Sequence, residues 1–410
     1  MTPFRNRLLA GPQAAPLDPA HALRGATARR PPGRPAAGAP VSARTGQPVR
    51  PFPHGGPTRS GSWQAWAARL ATLLAAWLVG ASAASAPAAA EPRTLNVGIG
   101  LPADSVQARA VRDFAVRVKD YSGGRLVVQL HAGGLLGNDL SMIQALQQGR
   151  LSMTVPDSST LASMEKAFSV INYPFTFLTE AEADTVLDGP WGTRLLQSLP
   201  AHGLIGLTFW ENGFRHMTNN RRPLQSSADF AGLRMRTMQN PMLVDSFRAL
   251  GFDAVPMPFT QVFQALRNGV VDGQENPLTT IVSSRFHEVQ SHLTLSGHVY
   301  SVHVLLLSRD VWDSLGDDDR AAIRLAATET RDLQRRWSRA GSAAALAELK
   351  ARGMQVSLIP AAEGERIRRR LRDVFERHNR DIGVHTVLEL YVALSRMRAQ
   401  SDAGSGLADR

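Results

Sequence analysis

The chain of 410 residues contains no cysteine. Without a thiol it forms no disulfide, no thiolate nucleophile and no zinc site with thiolate ligands, and no lipid can be attached to an N-terminal cysteine. Proteins without cysteine function in both oxidising and reducing compartments, so this absence excludes kinds of site but leaves the location open.

Recognisable catalytic motifs are missing as well. The 11 histidines show no HExxH spacing, and His298 and His303 are five residues apart, which places them on opposite faces of a regular strand. Neither G-x-S-x-G nor G-x-G-x-x-G occurs, and Glu275 has no second titratable group at a defined spacing. We therefore expect no enzyme activity, no metal and no cofactor. An exported enzyme acting on an organic acid stays open as the alternative.

The formal net charge of +11 is concentrated at one end of the chain. Residues 1–90 hold ten arginines and a single acidic residue, whereas the rest of the chain holds 36 basic and 34 acidic residues. The part that folds is nearly neutral, so we expect no nucleic acid partner.

Residues 1–62 are rich in proline, glycine, alanine and arginine, and 13 of the 25 prolines lie before residue 91. Such a composition buries too little apolar surface to offset the entropy of ordering. We expect a disordered basic extension, or a start site assigned too early in the gene. A basic tail that binds an anionic surface stays open as a minor alternative.

Residues 63–90 have the order of a secretory signal peptide. Basic Arg59 and Arg69 precede the apolar run Leu70–Val79, and small residues end at Ala90, directly before Glu91. This order predicts export, cleavage near Ala90 and a soluble periplasmic protein. The apolar run is too short to span a bilayer comfortably.

From residue 94 the pattern alternates between strand and helix. Thr94–Leu101 and Arg125–His131 predict strands, and Ser105–Tyr121 between them predicts an amphipathic helix. A further helix and a strand at Leu151–Val155 follow, so the pattern predicts right-handed βαβ units and a mainly parallel sheet.

Two later strands, Leu204–Glu211 and His298–Ser308, predict that the chain leaves this sheet at a hinge-like turn near residues 211–213 and re-enters it near residue 300. Two crossings of this kind are what a two-lobed protein with a cleft requires. Asp317–Gly353 predicts one helix of roughly 50 Å, longer than a single lobe needs. The last residues, 399–410, are expected to be frayed.

The stretch Leu233–Pro277 predicts strand, helix, strand, helix, strand. Asn240 is placed to cap the first helix, and Thr260 to cap the second, Val262–Arg267. Val270–Gly273 predicts a short strand, from which the polar residues 274–277 are expected to break away. Polar groups therefore collect at strand ends, where open α/β sheets bind ligands.

Three blocks in this stretch, R-M-R-T-M-Q-N-P, M-P-F-T-Q-V-F-Q-A-L and G-V-V-D-G-Q-E-N-P, match a known pattern in content and spacing. With them the chain resembles, from about residue 95 to about residue 394, the solute-binding subunit of tripartite ATP-independent periplasmic (TRAP) transporters, the dicarboxylate-binding DctP family.

The resemblance implies an α/β, two-lobed solute-binding fold with mixed, mainly parallel sheets, a ligand cleft between the lobes and a long helix that spans both. Lobe I is expected at residues 91–212 plus 299–340, and lobe II at 213–298 plus 341–398. It also implies a monomer that binds a small carboxylate and delivers it to a small and a large membrane permease subunit. Binding to a sensor kinase, rather than delivery to a permease, stays open as an alternative function.

The resemblance also implies the ligand-binding residues. It makes Arg236 the partner of the ligand carboxylate, and a guanidinium presents two parallel donors that suit this group. Arg215 supports the ligand from the hinge side, and Asn276 donates a hydrogen bond to the carboxylate. Phe259 lines the pocket, or is an ordinary core residue. Asp157 contacts the far end of the solute, although its V-P-D-S-S context departs from the family pattern.

Two further positions bear on the solute. Arg234 is expected to face solvent rather than the ligand. Gly100 stands where relatives that bind sialic acid carry asparagine, which argues against a sugar acid. The expected ligand is a small mono- or dicarboxylate, with C4-dicarboxylates first.

Overall fold

The structure is a computed structural model that describes residues 91–408, with side chains through residue 399. The expectations for residues 1–62 and for the signal peptide at 63–90 lie outside the described residues. Within residues 91–408, no helix is long and apolar enough to cross a membrane.

The described chain alternates strands and helices. The strands are β1 (Arg93–Gly98), β2 (Leu126–His131), β3 (Met153–Thr154), β4 (Leu204–Asn219), β5 (Arg234–Thr237), β6 (Asp253–Pro256), β7 (Gly273–Pro277), β8 (His292–Ser308) and β9 (Gln355–Leu358). The α-helices are α1 (Val106–Tyr121), α2 (Asp139–Gln147), α3 (Ser158–Leu161), α4 (Glu180–Asp188), α5 (Pro190–Ser198), α6 (Pro241–Leu250), α7 (Val262–Arg267), α8 (Leu278–Ser283), α9 (Arg309–Asp313), α10 (Asp317–Ala351), α11 (Ala361–Ile382) and α12 (Val384–Ala408). Short 3-10 turns lie at Lys166–Asn172, Leu199–His202, Ser227–Phe230, Phe259–Gln261 and Phe286–Glu288.

All the described strands belong to one mixed sheet in the order β2-β1-β3-β8-β4-β7-β5-β6, with β9 beside β8. The predicted parallel pairings are present: β1 pairs with β2 and β3, and β5 pairs with β6 and β7. The long antiparallel strands β4 and β8 join these two parallel sets. The α/β class with mixed strands is confirmed, but the sheet is continuous rather than divided between the lobes.

The hinge-like turn predicted at residues 211–213 is wrong. Strand β4 continues for 16 residues through this segment because β8, 17 residues long, pairs with it on both sides. The ladder register shifts between Glu211 and Gly213, and Gly213 has a φ of +109°, which favours glycine. The crossing is therefore a local irregularity within a strand.

Two details of the stretch at 233–277 are also corrected. The strand is Gly273–Pro277 itself, because these residues pair antiparallel with β4, and partners in the sheet satisfy their polar groups. Helix α7 begins after Gln261, not after a Thr260 cap, because Phe259–Gln261 forms a 3-10 turn. The Asn240 cap of α6 is confirmed: its side chain accepts hydrogen bonds from the N–H groups of Met242 and Leu243.

The long predicted helix is present as α10, with 35 residues. It packs against α1 beside one parallel set of strands and against α8 beside the other, so it runs along both halves. Helix α11 packs on α6, as expected for the second half. Helix α12 instead buries Val387, Leu390 and Leu394 against the core around Trp191, and its helical backbone continues to Ala408 where we expected fraying.

Candidate functional site

A cavity opens where the sheet changes from one parallel set to the other. Its walls come from the segments that follow β1, β3, β5 and β6, the carboxyl ends of parallel strands, and from the middle of β4 and β8. Its empty space, including the mouth, is about 580 Å³. The lining residues are Gly100, Leu101, Gln107, Asp139, Val155, Asp157, Thr160, Asn212, Arg215, Arg236, Met238, Gln239, Met257, Pro258, Phe259, Asn276, Thr280 and His303.

The structure therefore brings all five site residues inferred from the sequence to one cavity. They differ in how many of their polar atoms already form hydrogen bonds or ion pairs with other protein groups. This difference decides what each of them can offer to a ligand.

Arg236 is the lining residue with a free cationic donor. It is 3% exposed, and its Nε and Nη2 donate to the Met257 carbonyl oxygen at 3.1 and 2.9 Å. Its Nη1 is buried and has no hydrogen-bond partner among the described residues. Burial lowers the pKa of Arg236 to about 10, so the side chain is still charged at neutral pH. An unpaired buried donor costs free energy, which an anion at this point would recover.

Arg234 lies outside the cavity. Its Nη2 is 2.8 Å from an Asp272 carboxylate oxygen, and its side chain is partly exposed. The two arginines of one R-x-R motif therefore differ: Arg234 pairs with Asp272, which is 4% exposed, whereas Arg236 lines the cavity.

Arg215 is already paired. Its Nε is 2.5 Å from Oε2 of Glu275 and its Nη2 is 2.8 Å from Oε1, and both side chains are buried. Burial alone would raise the pKa of Glu275, but the charge of Arg215 and hydrogen bonds from His298 and Arg215 hold it down to about 2. The positive charge of Arg215, the second arginine at the cavity, is therefore balanced by Glu275.

Asp157 and Asn276 are also engaged by neighbours. One oxygen of Asp157 caps α3 by accepting from the Ser159 N–H at 2.9 Å, and the other accepts from Asn212 Nδ2 at 3.3 Å. Asn276 Nδ2 donates to Gln274 Oε1 at 2.5 Å. These contacts fix the orientation of both side chains at the wall.

Asp139 lines the cavity and was not inferred as a site residue. Asn138 caps α2, and Asp139 is the first residue of that helix. Burial raises the pKa of Asp139 to about 6, against a backbone hydrogen bond from Asp157. A Cβ at Gly100 would lie 3.2 Å from Asp139 Oδ1, so glycine leaves this carboxylate open to the cavity. In the sequence, the feature that could have indicated Asp139 is an acidic residue directly after a helix cap and close to a glycine-rich segment.

His303 is a second titratable lining group that was not inferred as a site residue. Burial lowers its pKa to about 4, so the ring is neutral at physiological pH. Its Nδ1 has no hydrogen-bond partner among the described residues. His298, five residues earlier, has its Nε2 3.4 Å from Glu275 and does not line the cavity.

The cavity therefore combines one free cationic donor with carboxylate, amide, hydroxyl and imidazole groups. Within the described residues, no cluster of histidine, aspartate and glutamate is arranged to hold a metal ion. Such a lining suits reversible binding of an anion that also carries hydroxyl groups.

Comparisons with known proteins agree with this geometry. The model of the family described as bacterial extracellular solute-binding protein, family 7, DctP, matches residues 97–381. The chain is similar to the sugar acid binding protein DctPAm of Advenella mimigardefordensis strain DPN7T, solved in complex with galactonate. The two are 42% identical, with a TM-score of 0.73 and coverage of 75% of this chain and 99% of that one.

Two further relatives differ in ligand. A TRAP periplasmic solute binding protein from Polaromonas sp. JS666, bound to D-erythronate, is 35% identical, with a TM-score of 0.70 and coverage of 72% of this chain and 97% of that chain. The C4-dicarboxylate-binding periplasmic protein DctP of Rhodobacter capsulatus is 34% identical over 260 residues, which are 62% of this chain and 80% of that protein.

Proposed function

The chain belongs to family 7 of the bacterial extracellular solute-binding proteins, and from that premise we propose that it captures a hydroxylated monocarboxylic acid for a TRAP transporter. Members of this family are solute-binding components of transporters, not enzymes; they bind small organic acids and work with TRAP membrane permeases. The proposal concerns which acid this chain takes and how it holds it.

The observation that carries the proposal is the buried, unpartnered Nη1 of Arg236. A ligand carboxylate at this nitrogen satisfies the donor and neutralises the buried charge in a charge-assisted hydrogen bond. Closure of the protein around the ligand would remove water and strengthen the pair.

Charge at the rest of the wall argues against a second carboxylate. Glu275 balances Arg215, and Asp139 and Asp157 add carboxylates at the cavity surface. A second anionic group near them would be repelled, whereas hydroxyl groups can donate to their oxygen atoms. This preference departs from the C4-dicarboxylates that we expected first.

The relatives named above support the same class. Galactonate and D-erythronate, bound by two similar proteins, are both hydroxylated monocarboxylates. The absence of a polar side chain at Gly100 argued against a sugar acid, but Asp139 lies beside that position, and Gln107 and Asn212 supply further polar groups to the same cavity. A C4-dicarboxylate is kept as the second candidate because of the similarity to the Rhodobacter capsulatus protein.

We also propose that the chain is exported, acts in the periplasm as a monomer without enzyme activity, and delivers its ligand to a small and a large permease subunit. These proposals follow from the family and from the signal-peptide pattern at residues 63–90.

A thermal-shift panel of carboxylic acids tests the proposed ligand class. Aldonates of four to six carbons should raise the unfolding temperature, since a ligand at 100 times its Kd adds about 2.7 kcal/mol to the unfolding free energy. Succinate and malate should give smaller shifts at equal concentration. A larger shift with the dicarboxylates would transfer the assignment to the second candidate.

A further inference from the structure

A second, smaller cavity adjoins the first. Its empty space, including its opening, is about 270 Å³. The centre of a water-sized group can occupy about 10 Å³ of this space. By volume this is room for about one water or one hydroxyl oxygen. The two cavities share five lining residues, among them Gln107, Asn212 and His303, so they are separated only by a common wall.

That common wall contains two buried polar atoms without partners. Gln107 is 3% exposed and its Nε2 donates to the Val155 carbonyl oxygen at 2.7 Å, but its Oε1 has no hydrogen-bond partner among the described residues. His303 is 6% exposed and its Nδ1 is likewise unpartnered. Buried polar atoms are normally satisfied, so these two indicate where a ligand group or a water is bound.

The far wall of the second cavity is held firmly in place. Gln334 on α10 donates to the Glu211 carbonyl oxygen at 2.6 Å and accepts from the Glu211 N–H at 2.8 Å. Arg339 and the Tyr300 hydroxyl hold the Glu211 carboxylate at 2.7 and 2.9 Å. Ser338, on the same helix as Gln334, also lines this space. A wall fixed by so many contacts can discriminate by size.

We propose that the second cavity is a subsite for the terminal hydroxyl of a longer polyhydroxy acid, and that it selects the chain length of the ligand. The inference rests on the proposed function, in which Arg236 holds the carboxylate in the first cavity. The carbon chain of the ligand extends past Gln107 and His303 into the second cavity. There its terminal hydroxyl takes the place of a water. A four-carbon acid fills the first cavity alone.

Titration calorimetry with D-erythronate, D-xylonate and D-galactonate measures this selection. The parent protein should bind the six-carbon acid about tenfold or more tightly than the four-carbon acid, in line with the roughly 10- to 200-fold discrimination of a fitted pocket. Ser338→Thr keeps the hydroxyl and adds a methyl group in the second cavity. It should weaken galactonate about tenfold and leave erythronate within about twofold.

Two matched variants separate filling of the cavity from other effects. Ser283→Thr adds a methyl group to the same cavity from α8 and should act like Ser338→Thr. Ala343→Thr makes a similar change on an exposed part of α10 and should alter neither ligand. Unfolding temperatures without ligand confirm that each variant is folded.

The outcomes are distinct. If erythronate and galactonate bind equally and Ser338→Thr changes neither, the second cavity holds only water and the subsite is refuted, while the proposed function stands. If Ser338→Thr weakens both acids equally, Ser338 acts on closure or folding and the subsite is again refuted. If the parent protein binds none of the three acids, the proposed function fails together with the subsite.

Discussion

Arg215 and Glu275 lie on the neighbouring antiparallel strands β4 and β7, and their side chains form a buried, two-pronged ion pair with N–O distances of 2.5 and 2.8 Å. A third contact, from Arg215 Nη2 to the Glu275 carbonyl oxygen at 2.6 Å, ties the guanidinium to the strand itself. The pair lies beside the cavity that Arg236 lines. It leaves Arg236 as the arginine of that cavity with an unpartnered nitrogen.

Glu275→Gln should destabilise the protein strongly. The change removes the negative charge of Glu275 and leaves the buried Arg215 with Asp157, 3.8 Å away, as its remaining ion-pair partner. Breaking comparable buried pairs costs about 3–5 kcal/mol. Urea unfolding measures the loss of unfolding free energy. Glu348→Gln is the control, because the Glu348–Arg352 pair is largely exposed and its loss should cost at most about 1 kcal/mol. Equal effects of the two variants would show that the buried pair has no special role.

The stability of the ligand-free protein should fall as the pH drops from 6.5 to 4. Burial lowers the pKa of His303 to about 4, so between these values the unfolded chain binds a proton that the folded protein does not. His303→Gln removes this difference and should reduce the loss between pH 6.5 and 4.5 by about 2 kcal/mol.

Asp139 changes stability in the opposite direction, because burial raises its pKa to about 6 and the folded protein gains a proton there as the pH falls. This contribution is the same in the parent and in His303→Gln, so it does not affect their difference. His385→Gln, at a side chain that is 85% exposed, should follow the parent curve. Unfolding curves of His303→Gln that run parallel to the parent at every pH would refute the assignment.

Ligand should close the two halves of the molecule. We propose that residues 91–212 plus 299–340 move against 213–298 plus 341–382 about the irregularity near Asn212 and the adjacent segment at His298. Helix α12, which we expected in the second half, packs on the first and should move with it. Small-angle scattering of the purified protein should show a smaller radius of gyration when galactonate is added. An unchanged radius with a ligand shown to bind would argue against closure.

Export should remove the N-terminal segment near Ala90. N-terminal sequencing of the protein recovered from the periplasm should begin close to Glu91. A mature protein that retains residues before about residue 80 would contradict the interpretation of residues 63–90 as a signal peptide.

Local patterns in the sequence predicted much of the fold. The capped helix α6, the amphipathic helix α1 and the long helix α10 all have periodic apolar faces, and the structure contains them within a few residues of the predicted bounds. The parallel pairings follow from the alternation of strand and helix. Long-range pairing was harder, because nothing local shows that β4 and β8 continue past residue 211 as one ladder.

The residues inferred for the site lie at one cavity in the structure, but the ion-pair partners of their charged groups were not predicted. The family motifs placed Arg236, Arg215 and Asp157 at one cavity, as the structure has them. The partner of Arg215 was missed because Glu275 lies 60 residues away in a polar run that was expected to leave the sheet. Asp139 was missed because its position after a helix cap has an ordinary structural explanation.

The central claim is that Arg236 anchors the carboxylate of the ligand. Titration calorimetry with D-galactonate should show that Arg236→Ala weakens binding by two to four decades, equivalent to about 3–5 kcal/mol. Arg236→Lys keeps the charge but loses the paired donors, so its affinity should lie between those of the alanine variant and the parent.

Arg234→Ala, two residues away on the same strand, supplies the matched control. It removes an arginine that pairs with Asp272 outside the cavity, and it should leave the Kd within about threefold of the parent. The account predicts a loss of at least a hundredfold for Arg236→Ala with Arg234→Ala nearly unchanged. Binding by Arg236→Ala within a few-fold of the parent would contradict it and make Arg215 the candidate anchor.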